Sequence, residues 1–416
     1  MKSYKLVHLL TALVVISFWL SDLKAQEYDL VIKNGTLIDT KSGLNQKMDV
    51  AISKNKIAMI SGSIATNKAK KVIDAKGKWV VPGLIDLHGH VFFGTDENAM
   101  YSGGRFSVAP DNFTFRSGVT TIVDAGSAGW RNFHLFKKNV IDNSETRVLA
   151  FLNIVGSGMK GGVVEQNIND MDPKLTAMTV NRHPELVGVK LAHYSGHEWE
   201  PTDRAVAAGT TANVPVMIDF GGSTPALSIK TLFLEKLRPG DIFTHAYASL
   251  RSRERIVDDQ GKVKPFAFEA QKRGIVFDVG HGGGSFAFSQ AVPAIQQGFK
   301  PNAISTDLHI GSMNSGMKNM NNVMSKFLNM GMTVPEVIAS VTWHPAQYIK
   351  KPELGHLTVG SLADVAILSL EKGNYKFVDV RNKTLQGDRK FVCQLTIKDG
   401  KVVYDLNGMA GTNWED

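Results

Sequence analysis

Cysteine is nearly absent: Cys393 is the only one among 416 residues. A lone thiol cannot close an intrachain disulfide, and a cysteine-based structural zinc site is excluded with it. Cys393 itself is expected to be a buried small hydrophobe. Long apolar runs are absent too. The nearest approach, residues 9–20, falls short of the roughly 20 residues that a membrane-spanning helix needs. Clustered basic charge is missing although the net charge is +8; the most basic run, residues 68–71 (KAKK), is short and adjoins a strand-like segment. Nucleic-acid binding, which wants a basic face or a recognition motif, therefore has no footprint here. Nor is the chain polar enough to stay unfolded, since 43% apolar and 21% charged residues are ordinary for a globular protein.

What is present begins at the N-terminus. Lys2 and Lys5 precede the apolar run at 9–20, and Leu23-Lys24-Ala25 ends in a small residue before Gln26. This is the layout of a secretory signal. Residues 1–25 are read as a leader and the remainder as exported, to the periplasm or outside the cell, with no membrane span after cleavage. An uncleaved anchor is the alternative.

Eight segments with apolar bodies then alternate with helix-sized intervals: 84–90 (LIDLHGH), 120–126 (TTIVDAG), 146–154 (TRVLAFLNI), 188–195 (GVKLAHYS), 215–221 (PVMIDFG), 242–247 (IFTHAY), 275–282 (IVFDVGHG) and 303–308 (AISTDL). Strands buried on both faces read as such runs, and the spacing suits parallel βα units. The expectation is an α/β fold, a (β/α)8 TIM barrel over residues 84–351, with chemistry at the C-terminal ends of its strands. Those ends carry Asp, His and Lys. Short strands at 28–33, 35–39, 48–52, 56–60 and 71–74, and again at 363–368, 392–398 and 401–405, predict a small β-sandwich built from both chain ends, residues 26–83 plus 352–416.

The sharpest local signal is His88-Gly89-His90, at the end of the first of the eight segments. Side chains at i and i+2 of a strand share a face, so two imidazoles can address one cation there, with Gly89 leaving the space between them open. A packing role for the pair is the plainer reading of the motif alone.

The stretch 80–90, VVPGLIDLHGH, resembles the metal-binding signature of the amidohydrolase superfamily. Residues 118–129, GVTTIVDAGSAG, are similar to a narrower group of amidohydrolase/deacetylase-type metallohydrolases related to dihydroorotases. Residues 355–368, GHLTVGSLADVAIL, look like that superfamily's return into its sandwich. The resemblance implies a barrel with a flanking sandwich and one or two divalent metals, zinc foremost, with manganese or iron as alternatives. It implies His88, His90, His245 and Asp307 as ligands, Lys190 carboxylated on its amine to bridge two metals, and Asp307 as the proton shuttle. The fifth strand departs from the pattern: where a histidine is usual, the chain reads Met217-Ile218-Asp219. Asp219 either serves the second metal as an oxygen ligand or leaves that site weak or empty.

His281, in the glycine-rich run 278–284 (DVGHGGG), is expected to touch substrate or polarise the scissile carbonyl. The loop 156–162 and His193, Tyr194 and His197 are further candidates for the pocket wall. Together these features point to an enzyme that hydrolyses an amide or ester with metal-activated water, most simply a deacetylase of a small N- or O-acylated acid. Opening of a cyclic amide, as in dihydroorotases, is the runner-up. A non-catalytic metal- or ligand-binding barrel is the alternative of another class. Oligomeric state stays open, a homo-oligomer included.

Overall fold

The computed structural model describes residues 26–219 and 223–415, and the candidate leader at 1–25 lies outside the described residues. A parallel sheet of seven strands, hydrogen-bonded in sequence order, forms the centre: β1 (Leu84–Gly89), β2 (Val119–Gly129), β3 (Arg147–Asn153), β4 (Leu186–Leu191), β5 (Val216–Ile218), β6 (Ile242–Phe243) and β7 (Val276–Phe277). Parallel neighbours need long crossovers, and helices such as Pro173–Arg182, Glu200–Thr211 and Pro265–Arg273 supply them. Both faces are buried. Along β3, Val148, Ala150 and Leu152 pack outwards with helix residues such as Phe136 and Val180. The alternate Leu149 and Phe151 join a cluster drawn from all seven strands, including Leu87, Val123, Val187, Met217, Ile242 and Val276. The sheet curls, because one segment, 303–308, bridges the ends of both edge strands.

The eighth expected segment lies between the two edges. Ala303 bridges Asp278 and Leu308 bridges Gly89, both in parallel sense. It is not a regular strand, because its amides are taken elsewhere. Ile304 N donates to Ser340 O at 3.0 Å, and Thr306 N donates to the Asp86 carboxylate at 3.0 Å. The sixth and seventh strands are likewise shorter than the runs 242–247 and 275–282 suggest. His245 (φ +58°) and Gly280 (φ +45°) sit in the left-handed region, which departs from extended backbone and interrupts the regular ladder there.

The chain ends build two further sheets. One orders Lys56–Ser61, Asp49–Ser53, Tyr28–Lys33 and Ala69–Asp74. The other orders Lys401–Asp405, Thr384–Lys398, Val365–Val378, Trp79–Pro82, Thr36–Asp39 and Leu44–Lys47. They share one apolar cluster, with Ile32, Val50, Ile52 and Ile73 from the first and Val80, Val365, Ile367 and Leu395 from the second. The C-terminal hairpin runs further than expected. Its outer half crosses helix Met320–Asn329, where Phe391 N donates to Ser325 Oγ at 2.9 Å and Asn329 Nδ2 to Arg389 O at 2.7 Å. Cys393 is buried beside Phe115 and Thr396, and burial pushes its thiol up to about 11. Among the described residues no helix is long and apolar enough to cross a membrane.

Arg147 ties β3 to the returning chain. Its guanidinium donates to Asp364 and Thr121 and, at 3.3 Å, to Asp399. Asp364 is buried, and its remaining cationic neighbour is Lys398 at 3.6 Å. Arg147→Ala is therefore expected to lower stability by about 1–3 kcal/mol, read as a fall in the urea midpoint. An unmoved midpoint would show that the link carries no stability.

Candidate metal centre and active site

The end of β1 sets His88 and His90 side by side. Gly89 between them is needed for packing, because a Cβ there would come within 2.7 Å of Ile122 Cδ1. Asp307 reaches the same point from between β7 and β1, its Oδ1 standing 3.2 Å from His90 Nε2 and 3.6 Å from His88 Nε2. All three are buried, and one donor atom from each lies within 4.8 Å of the others.

The protons can be assigned by elimination. The Asp278 carboxylate only accepts, so Thr244 Oγ1 donates to it at 2.7 Å. The Thr244 oxygen must then accept from His88 Nδ1 at 2.9 Å. Burial, and then the charge of Lys190, hold His88 down at about 3, so the ring is neutral. Its Nε2 is thus a bare acceptor facing a carboxylate oxygen. Two acceptors at such a separation repel unless a cation lies between them. Donors about 2.0–2.2 Å from a tetrahedral ion stand roughly 3.3–3.6 Å apart, and the two Asp307 distances are close to that spacing. His90 Nδ1 is held by Ser127 Oγ at 3.0 Å.

Beside this trio lies a second group. Lys190, on β4, is buried, and among the described residues its amine meets only Met217 Sδ, at 3.5 Å, within hydrogen-bonding reach. Burial lowers its pKa, against the pull of Asp219, Asp307 and Asp278. Asp219 follows β5. Its Oδ1 accepts from Arg253 Nη1 at 3.2 Å, and its Oδ2 lies 3.4 Å from His245 Nε2 and 3.6 Å from His193 Nε2. Burial opposes its ionisation, but His245, Arg253 and His193 outweigh this and hold the carboxyl well below its ordinary value. His245 Nδ1 donates to Gly280 O at 2.5 Å, and His193 Nδ1 meets the buried Glu165 Oε2 at 2.8 Å. His193, His245 and Asp307 have φ of +55°, +58° and +52°. Left-handed backbone costs a non-glycine residue about 1–2 kcal/mol, and such strain gathers at functional sites.

The run TTIVDAGSAG is explained by what its residues hold. Asp124 accepts from Val91 N and Ser127 N, joining β2 to the end of β1. Ser127 orients His90. Gly126 (φ +89°) lies against Lys190, where a Cβ would come within 2.6 Å of the lysine's own Cβ.

A cavity of about 540 Å³ opens over these groups, lined among others by Tyr101, His193, Asp219, His245, Arg253, Asp307 and His309. The structure thus brings together His88, His90, Lys190, Asp219, His245 and Asp307. It does not bring His281 to the cavity wall, which corrects the expected substrate contact. That ring is fully buried and stacks on Phe286 at 4.4 Å. Its Nε2 meets Lys326 Nζ at 2.7 Å and its Nδ1 meets Gly282 O at 2.9 Å, so both nitrogens are engaged inside the fold. The neighbouring Gly283 and Gly284 do line the cavity. Tyr194 bonds Glu198, His197 bonds Pro225 O, and the loop 156–162 packs behind Ser127 through Met159 N. Of the three further candidates after β4, only His193 reaches the cavity. Sequence reasoning missed Tyr101, Glu165, Arg253 and His309. His309 carried a signal, standing at i+2 from Asp307 as His90 does from His88. The others lie in the connections after β1, β3 and β6, with nothing local to mark them.

The chain is similar to known proteins over most of its length. Residues 288–403 match the model of the amidohydrolase family. The chain is 34% identical over 352 residues to a deacetylase of Brucella anthropi, covering 82% of this chain and 84% of that one. Among solved structures it is similar to an adenine deaminase, with a TM-score of 0.81 at 28% identity, covering 91% of this chain and all of that one. It is also similar to a dihydroorotase, with a TM-score of 0.79 at 28% identity, covering 90% and 99%.

Proposed function

Because this chain belongs to the amidohydrolase superfamily, we propose that it is a metal-dependent deacetylase, hydrolysing a small N- or O-acylated acid. The observation that carries the reading is the neutral His88 Nε2 aimed at the Asp307 carboxylate 3.6 Å away, an arrangement that asks for a cation. His88, His90 and Asp307 would hold one divalent ion, with Lys190, as its carbamate, bridging towards Asp219 and His245. The mixed nitrogen and oxygen donors suit zinc, manganese or iron. Such an ion supplies Lewis acidity towards the carbonyl and lowers the pKa of water. The protein's own contribution to proton movement is Asp307, whose carboxylate receives the proton of the attacking water and passes it to the departing amine or alcohol. The seven strands and segment 303–308 are read together as a (β/α)8 barrel, supported by the single interior cluster that Ala303 joins. Export rests on the candidate leader alone.

Ring opening of a cyclic amide is the second reading, favoured by the likeness to a dihydroorotase. Metal analysis followed by a panel of N-acetyl acids, O-acetyl acids and cyclic ureides separates the two. We expect bound divalent metal, acyl hydrolysis lost on chelation and its return with added zinc. Ring opening without deacylation would reverse the order. Bound metal with no turnover on any of them would favour a non-catalytic barrel.

A further inference from the structure

We propose that Lys326 is a positioning residue for the reaction, acting through His281 on the segment 280–282 that braces His245 and Asp307. The inference rests on the hydrolase reading above and adds a residue outside the cavity wall. Lys326 lies on helix Met320–Asn329 and is fully buried. Its Nζ meets His281 Nε2 and Gly316 O at 2.7 Å and Val378 O at 2.8 Å. The hydrogens can be placed by elimination. Gly282 O only accepts, so His281 Nδ1, 2.9 Å away, carries one. Burial, and then the charge of Lys326, hold the imidazole well below its ordinary pKa, so the ring is neutral and its Nε2 bare. The lysine therefore donates to all three neighbours, which takes the three hydrogens of an ammonium. That contact fixes His281 as its Nδ1–H tautomer, since the bond made by one ring nitrogen sets the state of the other.

The segment that this tautomer holds touches the site twice. Gly280 O accepts from His245 Nδ1 at 2.5 Å. Gly280 and Gly282 sit at φ +45° and +59°. A Cβ on Gly280 would come within 2.8 Å of His245 Nδ1, and one on Gly282 would collide with Asp307 Oδ2. The amides of residues 280–282 bond to Ser305 and Thr306. With glycine on either side, the His281 ring is the segment's one side-chain anchor, and it turns away from the cavity onto Phe286 and Lys326. Val378 O ties the C-terminal hairpin to the same ammonium. The countercharge is Asp379, a buried carboxylate whose Oδ2 accepts from Phe288 N at 3.0 Å.

The test uses the full chain and the acetylated acid that wild type turns over fastest, with thermal melting as the check on folding. Lys326→Met is expected to lower kcat about 10- to 100-fold, as loss of a partner behind an active-site ligand does, with KM changed less than about threefold. A purely structural lysine predicts a lower melting temperature but unchanged kcat in the folded protein. His281→Gln keeps an acceptor for Lys326 but no donor for Gly282 O. It is expected to lose kcat likewise, and the double variant no more than the worse single one. Nitrogen chemical shifts of His281, read after isotope labelling, are expected to report the Nδ1–H tautomer in wild type and a mixture in Lys326→Met. Wild-type kcat in folded Lys326→Met, losses that multiply in the double variant, or an unchanged tautomer would each overturn the proposal. If Lys326→Met does not fold, wild-type kcat in His281→Gln is the overturning result. Turnover of no acylated acid by wild type would sink the deacetylase reading instead, and the tautomer comparison would still decide whether Lys326 governs His281.

Discussion

Asp307→Asn is expected to lower kcat/KM by roughly 10²–10⁴-fold, the range that loss of a positioned acid–base group produces, while the protein stays folded. The substitution isolates charge from shape. Asp307 sits at φ +52°, a conformation that asparagine tolerates about as well as aspartate, so the backbone is not newly strained. The amide keeps the volume of the carboxylate but cannot take a proton. Burial opposes ionisation of Asp307, but the imidazoles packed around it, His90 by a hydrogen bond, reverse this and lower its pKa. The substitution therefore removes a group that favours the charged form near neutral pH. Thermal melting and metal content, measured beside the rate, tell a chemical defect from an empty or unfolded site. Activity within tenfold of wild type would remove Asp307 from the reaction and favour a barrel that only binds.

The parts of this site legible in the sequence share one physical property: they end apolar strands. A buried strand declares itself by its run of Val, Ile and Leu, and the polar residues at or just past its C-terminal end are placed by that run. His88, His90, Lys190, Asp219, His245 and Asp307 are all of this kind. Arg253 and Tyr101 sit in loops and Glu165 in the short 3-10 helix Gly162–Gln166, where no periodicity ties number to position, and tertiary contacts alone bring them to the site. Arg253 is placed by Asp219, 34 residues earlier. The error at His281 has the same root. Glycines on either side suggested an open loop, but the decisive partner is Lys326, 45 residues later on a helix. That ammonium is fully buried and needs acceptors, which Gly316 O, Val378 O and His281 Nε2 provide. Burial brings it down to about 7. Two features the sequence did not announce, the outer half of the C-terminal hairpin and this lysine, thus account for where His281 points. The polar stretch EKGNYK at residues 371–376 reads as loop because its strand lies partly on the surface, where alternation is weak.

Lys190→Ala is expected to cost about 10- to 100-fold in activity, together with loss of tightly held metal, and to regain part of both when acetate or formate is added. The argument turns on what a lysine is doing on β4. Its side chain is essentially buried, and among the described residues the only atom its amine meets is the weak acceptor Met217 Sδ. An ammonium left in that state is costly, whereas burial lowers the pKa and so favours the neutral amine. Only the neutral amine can add carbon dioxide, and the carbamate it forms is an anion that two nearby cations would stabilise. Removing the chain leaves a gap the size of that group, which a short carboxylic acid can enter, bringing the same pair of oxygens. A structural lysine predicts something different: metal stoichiometry unchanged in the alanine variant, and no response to carboxylic acids. Recovery with methylamine or ethylamine instead would assign the function to the ammonium itself. The three outcomes separate cleanly in one experiment, in which metal content and rate are followed against the concentration of each added small molecule.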